Sequence, residues 1–225
     1  MALRNAPRYN QHYGDKVQTD SAVEPISDTE LFNYLKLSDE HELEYLNDLI
    51  PQCRVWIEDF TGLAFITQTR LLTLDKWPGY VEAWWDGVRE MATTELYTMS
   101  RPRDIEVPRY PLQSITTINV YDEDSNATAV TVGTTFDVDV NSKRGRITLK
   151  RGSTWPTATR ANNAIEITYV AGYGNAATDV PASLRRAVLE MAAYMYSHRG
   201  DCTQEEGYRK SGAHSILNTY RVREI

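Results

Sequence analysis

The sequence predicts an α+β fold, in which a small helical bundle carries an inserted antiparallel β-sheet or sandwich. Before Gly62 and after Val180, apolar residues recur every three or four positions, as on one face of a helix. Between these segments the apolar period changes to two, in short runs rich in β-branched residues. The predicted organisation is an extended arm over 1–26, a helical core over 27–62 and 180–200, a β-rich insert over 63–179 and an extended C-terminal tail over 201–225.

Capping signals define the predicted helices. The segment Ser27–Glu30 has the S-x-x-E form of a capping box, in which the two side chains satisfy each other's backbone donors. A second helix should bend at Pro51 and end at Gly62, and Pro181 suits the first turn of the last helix. The core-facing positions of the second helix are Leu43, Leu46, Ile50, Cys53, Ile57 and Phe60.

The insert is predicted to be a set of local hairpins. Polar and glycine-containing turns, such as 122–126 and 141–145, separate its apolar runs. The stretch 79–99 fits neither period and is predicted to be a short helix or a folded loop. The predicted strands are 65–74, 105–107, 114–121, 135–140, 146–150 and 164–170.

Charge is unevenly distributed along the chain, whose formal net charge is -7. Nine carboxylates and two basic residues lie between Ser27 and Gly62, so this segment accounts for the whole excess. From Pro181 onward seven basic residues outnumber five acidic ones. An acidic front and a basic tail suit head-to-tail packing of identical copies, although two solvated helix faces with unrelated charges explain the same distribution. The acidic balance argues against a basic nucleic-acid binder.

The sequence contains no recognisable targeting segment and no cysteine pattern typical of a disulfide framework. No run of about 18 apolar residues is present, and the N-terminal segment lacks the apolar centre of a signal peptide, so we expect a cytoplasmic protein with no membrane partner. Cys53 and Cys202 lack CxxC spacing, which argues against a disulfide framework or a zinc site. Cys53 is most simply a small core residue.

No catalytic constellation is recognisable, so we predict neither a reaction nor a cofactor. The sequence contains no HExxH and no G-x-S-x-G, and Gly172–Gly174 is predicted to be a strand-to-helix turn rather than a phosphate loop. Its four histidines are scattered at His12, His41, His198 and His214.

Three groups leave a binding role open. The basic hairpin around 143–151, with Trp155 nearby, is consistent either with contact to a nucleic-acid phosphate backbone or with a hairpin that is simply exposed to solvent. Asp137 and Asp139 are either a weak calcium pair or the polar side of an alternating strand. An aromatic set is either a carbohydrate platform or loop packing. The basic residues are Lys143, Arg144, Arg146, Lys150 and Arg151, and the aromatic residues are Trp77, Trp84 and Trp85.

Several motifs lie between about Leu35 and Arg223: Trp56-Ile57-Glu58-Asp59-Phe60-Thr61-Gly62, Pro111-Leu112-Gln113-Ser114-Ile115, Ala171-Gly172-Tyr173-Gly174, Val180-Pro181 with Leu184-Arg185, and Tyr220-Arg221-Val222. Together they resemble the head-tail connector, or adaptor, family of tailed bacteriophages and gene transfer agents, in the branch with a β-rich insert. Two features depart from that pattern: Pro51, and the length of the stretch 79–99.

The resemblance implies a virion structural protein of the neck, assembled in the host cytoplasm. Identical copies would form a ring, dodecameric like the portal, beneath the portal protein. The ring would extend the channel through which genomic DNA passes without specific binding, and would seat a stopper or another tail-side protein. The alternatives are another neck protein, either a stopper or a tail completion protein, and a β-rich carbohydrate-binding tail module.

Two candidate sites follow. The tail combines spaced apolar groups with arginines, a composition typical of segments that order on a partner, and the resemblance implies that this partner is the portal. The alternative is that the tail folds back onto its own helical core. An acidic face is expected to line the channel or to meet a neighbouring subunit, since a DNA conduit should not bind phosphates. The predicted portal-binding residues are Ile216, Leu217, Tyr220, Arg221, Val222 and Arg223, and the acidic face comprises Glu40, Glu42, Glu44 and Asp48.

Overall fold

The computed structural model describes residues 13–77 and 104–221, and it confirms the α+β class. Its helices are α1 (Asp28–Leu35), α2 (Leu43–Thr61), α3 (Ala182–Ser197), α4 (Gln204–Lys210) and α5 (Ala213–Tyr220), with 3-10 turns at Glu40–Glu42 and Ala177–Asp179. Its strands are β1 (Tyr13–Thr19), β2 (Gln68–Leu74), β3 (Asp104–Glu106), β4 (Leu112–Tyr121), β5 (Ala127–Val130), β6 (Phe136–Asp139), β7 (Arg146–Leu149) and β8 (Ile165–Ala171).

The helices pack around one apolar core. Ser27 caps α1 by accepting the backbone N–H of Glu30 at 3.0 Å, but the Glu30 carboxylate pairs with Arg185 instead of completing the predicted box. Helix α2 runs through Pro51 without ending. The fully buried side chains of α2 and α3 include Leu46, Cys53, Ile57, Leu184, Val188 and Met191.

The strands of the insert, together with β1, form two antiparallel sheets, and most of their buried apolar residues belong to a second apolar core. The larger sheet has the order β1-β2-β8-β4-β5 and the smaller one the order β3-β7-β6. All six predicted strand regions contain a strand. Two strands, β1 and β5, were not predicted, because their side chains are mostly exposed and carry no apolar alternation.

Both predicted extensions prove to be folded where they are described. The second half of the expected arm forms β1, which pairs with β2. The expected extended tail is wrong for residues 204–220, which form α4 and α5. Thr203 and Glu206 make a capping box that begins α4, and apolar burial of Leu217 holds α5 on the helical core. The stretch 79–99 lies outside the described residues.

The helical core and the sheet meet at a tightly packed junction. Helix α2 ends at Gly62, and Tyr110 donates its hydroxyl to the Thr61 carbonyl at 2.5 Å. Strand β8 ends at Ala171, and the next residue, Gly172, has a φ of 140°. A Cβ at Gly172 would lie 2.6 Å from the backbone carbon of Ile66. The predicted strand-to-helix turn is therefore confirmed, and it needs glycine for close backbone approach.

Candidate assembly surfaces

A chain of charged side chains joins helix α2 to the segment before α1. The Arg54 side chain is only 3% exposed, and its guanidinium contacts Glu58 at 3.0 Å, Glu24 at 2.8 Å and Asp20 at 3.4 Å. Glu58 also accepts the backbone N–H of Phe65 at 2.7 Å, so it fixes the chain as it leaves α2. Arg54 is therefore held between its own helix and residues 20–24.

The same network continues across the large sheet. Gln68 on β2 donates to Glu58 at 3.3 Å and accepts from Arg70 at 2.7 Å. Arg70 in turn pairs with Asp15 of β1 at 2.7 Å, and Asp15 accepts the hydroxyl of Tyr169 on β8 at 2.8 Å. Strand β1 is therefore attached to the sheet by a carboxylate as well as by its backbone ladder.

Arg109 closes the network from the connection between β3 and β4. Its guanidinium donates to the Glu58 carbonyl at 2.5 Å and pairs with Asp59, and it lies 3.8 Å from Asp15. One arginine thus contacts both the end of α2 and strand β1. We call this set the arm network: Asp15, Asp20, Glu24, Arg54, Glu58, Gln68, Arg70, Arg109 and Tyr169.

Burial and neighbouring charges perturb the ionisation of the arm network. Burial raises the pKa of Glu58, and the Arg54 guanidinium offsets only part of that effect. Burial alone would lower the pKa of Arg54, but Glu58 and Glu24 outweigh it and raise the value. Burial and the Asp15 carboxylate raise the pKa of Tyr169. These shifts reflect structural ion pairing, because Glu58, Arg54 and Tyr169 each have a charged partner within the network.

Sequence reasoning missed the arm network. The available signal was Arg54, a charged residue that follows Cys53 on the apolar side of a predicted helix, where an unpaired charge is costly. Its partners lie up to 34 residues away along the chain. No local period relates them, so their pairing could not be read from spacing.

The predicted acidic face is divided by the structure. Glu40 and Glu42 bound the 3-10 turn that precedes α2, while Glu44 and Asp48 are exposed on the first turns of α2. Glu42 forms an ion pair with Arg199, which lies just after the end of α3. Glu44 and Asp48 therefore present negative charge to solvent, and Glu42 is partly neutralised.

The predicted portal-binding residues have different environments. Leu217 is completely buried, Ile216 is half-buried, and the Tyr220 hydroxyl lies 2.5 Å from Ser183 Oγ. The Arg221 guanidinium lies 4.9 Å from the centre of the Phe60 ring. Val222 and Arg223 lie outside the described residues. The structure thus assigns Leu217 to the core, and portal binding by its neighbours remains a prediction.

Helices α2, α4 and α5 bring together an aromatic cluster that is partly exposed. Trp56 and Phe60 stack with ring centres 5.3 Å apart, and Tyr208 packs against both. Tyr208 also contacts His214, and Arg221 covers Phe60. Aromatic and arginine side chains are common anchors of protein interfaces, so this cluster is a candidate contact surface.

The basic hairpin is largely neutralised by its own strands. Arg144 pairs with Glu106 at 3.2 Å, Arg146 with Asp139 at 3.1 Å and Lys150 with Asp137 at 3.4 Å. Lys143 and Arg151 are exposed. This pairing favours the solvated-hairpin interpretation over a phosphate-binding strip.

Asp139 organises the β6–β7 turn. Its carboxylate accepts the backbone N–H groups of Asn141 and Ser142, each at 3.1 Å, and the Ser142 hydroxyl at 2.5 Å. These Ser142 bonds in particular lower the pKa of Asp139 to about 2. The alternating-strand interpretation of Asp137 and Asp139 is therefore favoured over a calcium pair.

The remaining candidates give no catalytic or ligand site within residues 13–77 and 104–221. Trp77 is 3% exposed and stacks on Trp155, so it cannot serve a carbohydrate platform, and Trp84 and Trp85 lie outside these ranges, as does His12. The other histidines are exposed. No group of three or more His, Cys, Asp or Glu side chains here could hold a metal ion.

The two cysteines are free thiols, and Cys53 is buried as predicted. Burial raises the pKa of the Cys53 thiol to about 12, which makes it unreactive. Among the described residues, no helix combines the length and apolar character needed to cross a membrane.

The fold and these surfaces define a class of protein: a helical core with an antiparallel β insert, a charged network that joins them and a partly exposed aromatic cluster. No family model and no curated protein matches the sequence. Solved structures do match the fold. A chain from the neck of an empty gene transfer agent particle, computed with C6 symmetry, has a TM-score of 0.72 and 20% identity, over 94% of this chain and 97% of that one.

Two further gene transfer agent structures contain a similar chain. One is the virion of the native particle, with a TM-score of 0.70 and 20% identity over 94% of this chain and 96% of that one. The other is the neck of the native particle computed with C12 symmetry, with a TM-score of 0.64 and 21% identity over 93% and 97%. This chain therefore shares its fold, over nearly its whole length, with chains of those particles.

Proposed function

We propose that this chain is a virion structural protein of the neck, and specifically the head-tail connector (adaptor) of a tailed phage or a gene transfer agent. The observation that carries the proposal is the similarity to neck chains, which extends over nearly the full length of both partners. A shared fold does not by itself define function, but the motifs of the connector family point in the same direction. The proposal assigns the chain no reaction.

A ring of identical copies is the proposed assembly. The similar neck structures were computed with C6 and C12 symmetry, which supports a ring and is compatible with twelve subunits. A cyclic ring requires two different, complementary surfaces on each subunit. In this chain Glu44 and Asp48 present an acidic surface, whereas the aromatic cluster and Arg221 lie at the other end of α2.

The proposed partners are the portal protein on one side and a stopper or another tail-side protein on the other. We assign portal binding to the end of the C-terminal segment, from Tyr220 to Arg223, and exclude Leu217, which is buried in the chain's own core. Glu44 and Asp48 would face the channel or a neighbouring subunit, where their charge would keep passing DNA from binding.

The experiment is native mass spectrometry of the chain alone and mixed with the portal ring of the same particle. The chain alone should be a monomer or a weak oligomer, and the mixture should contain the portal with a ring of this chain. A variant that lacks residues 222–225 should bind portal more weakly, while Arg151→Ala, which changes an exposed hairpin residue, is the matched control. A stable dimer that does not bind the portal ring would refute the proposal.

A further inference from the structure

The N-terminal segment 13–26, here called the acidic arm, is attached to the molecule mainly by polar contacts. Its strand β1 exposes every side chain except Asp15, which is half-buried. Its fully buried side chains are Pro25 and Ile26, which adjoin α1. The backbone ladder to β2 and three carboxylates, Asp15, Asp20 and Glu24, therefore hold the rest of the arm.

The surface beneath the arm is lined by arginines from separate elements. We call it the arginine groove: Arg54 of α2, Arg70 of β2, Arg109 of the β3–β4 connection and Arg185 of α3. Three of them pair with arm carboxylates, and Arg185 donates to the Pro25 carbonyl at 3.0 Å. With the arm in place, the side chains of Arg54 and Arg70 are 3% and 7% exposed. An empty groove would lack Asp20 and Glu24 beside Arg54, which would keep Glu58, and Asp15 beside Arg70.

The groove therefore matches an acidic, extended occupant with the spacing of the arm itself. A second copy of this chain supplies the same occupant with the same strand register. Contacts within one chain and between two chains would be identical, so their balance depends on local concentration and on the linker between β1 and α1. Little apolar surface must be exposed to release β1, because its side chains already face solvent.

We propose that the arginine groove is an intersubunit docking site, which takes strand β1 of the acidic arm of a neighbouring copy when the chain assembles, while Pro25 and Ile26 stay buried in their own chain. Arm exchange in one direction around a ring gives every groove an arm and closes without unpaired ends. This inference rests on the proposed ring. The ion pairs involved make the exchange sensitive to salt.

A cysteine pair across the β1–β2 ladder tests arm exchange. Gly14 is paired with Thr73, and a Cβ at Gly14 would lie 2.7 Å from Thr73 Oγ1, so sulfurs at these two positions can reach each other. Cys202→Ser removes the partly exposed native thiol, and buried Cys53 is kept. The double variant Gly14→Cys/Thr73→Cys should close a disulfide within the monomer, which verifies the register.

The decisive sample mixes two single variants with tags of different size, Gly14→Cys and Thr73→Cys. The mixture is assembled on portal, or concentrated alone, oxidised with glutathione disulfide and separated on a non-reducing gel. We expect an interchain product that joins the two tags. Asp15→Asn in the Gly14→Cys chain should lower its yield at least about tenfold, since charged hydrogen bonds are lost. Thr128→Cys on β5 replaces Thr73→Cys as the control and should give no product.

Absence of the interchain product, in a preparation where the double variant closes its disulfide, would overturn the proposal whatever the oligomeric state. If the chain forms rings on portal but the interchain disulfide is absent, arm exchange is refuted and the proposed neck function is not. The interchain product in a chain that never binds portal would support arm exchange and refute the neck function.

Discussion

Arg54 and Glu58 form a buried ion pair one turn apart on α2, with 3.0 Å between Nη1 and Oε2. The other oxygen of Glu58 accepts the backbone N–H of Phe65, just after the helix has ended. One carboxylate therefore neutralises a buried arginine and also accepts a backbone hydrogen bond at the junction between the helical core and the sheet. Glu58 is also the one acidic residue that is buried in the described part of the chain.

Glu58→Ala should lower the free energy of unfolding by about 3–5 kcal/mol, because it leaves Arg54 with one buried partner fewer and leaves the Phe65 N–H unsatisfied. Urea denaturation followed by tryptophan fluorescence measures the change. Glu44→Ala removes an exposed carboxylate from the same helix and should change stability by no more than about 0.5 kcal/mol. Equal effects of the two variants would contradict the structural role of Glu58.

Gly172→Ala should abolish or severely reduce the yield of folded protein, because its Cβ would clash with the backbone of Ile66 and Thr67. Gly152→Ala is the matched control. Its φ of 87° is also left-handed, yet nothing lies within 4 Å of the added Cβ, so the cost should be only about 1–2 kcal/mol. Circular dichroism and melting temperature distinguish the two, and a well-folded Gly172→Ala protein would show that the turn can relax.

Leu217→Ala should destabilise the helical core by about 2–5 kcal/mol, as expected for a completely buried leucine. Deletion of residues 213–225 removes all of α5 and should therefore unfold or strongly destabilise the core, rather than yield a sound protein that merely fails to bind portal. Deletion of 222–225 alone should leave the melting temperature unchanged within about 2 °C. A stable protein without α5 would restore the interpretation of this region as a detached tail.

Asp139 should give the protein a specific acid sensitivity. Its pKa is about 2 in the folded chain against an ordinary value of 3.8, so the folded state binds fewer protons, and the stability gained is complete above pH 4. That gain is lost as the pH falls toward 2. The difference in urea midpoint between wild type and Asp139→Asn should thus be constant from pH 7 to 5 and shrink below pH 4. A difference that grows on acidification would contradict this assignment.

The sequence predicted elements whose signal is local. The Ser27 cap, the helical spacing before Gly62 and the alternation in β8 each depend on neighbouring residues, and each was found where it was expected. Strand β1 was missed because its side chains face solvent, so the partner strand, and not an apolar pattern, defines it. Helix α5 was mistaken for a detached tail because apolar residues such as Leu217 are expected both in a helix packed on its own core and in a segment that binds a partner.

The candidate sites were harder to predict, because their ion pairs join residues that are far apart along the chain. Glu44 and Asp48 are exposed as an acidic surface requires, but Glu42 pairs with Arg199, which lies 157 residues away along the chain. The arm network likewise joins Arg70 to Asp15 across 55 residues. Charge counts along a sequence cannot distinguish such internal pairs from charges that remain available to a partner.

The central claim is that this chain is a ring-forming structural protein of the neck, and cryo-electron microscopy of the assembled particle tests it most directly. A map of the region between head and tail should contain a ring of identical copies of this fold, in contact with the portal and with Leu217 inside each subunit. A neck whose density does not accommodate the fold, or a particle in which the chain lies at the tail tip, would contradict the account.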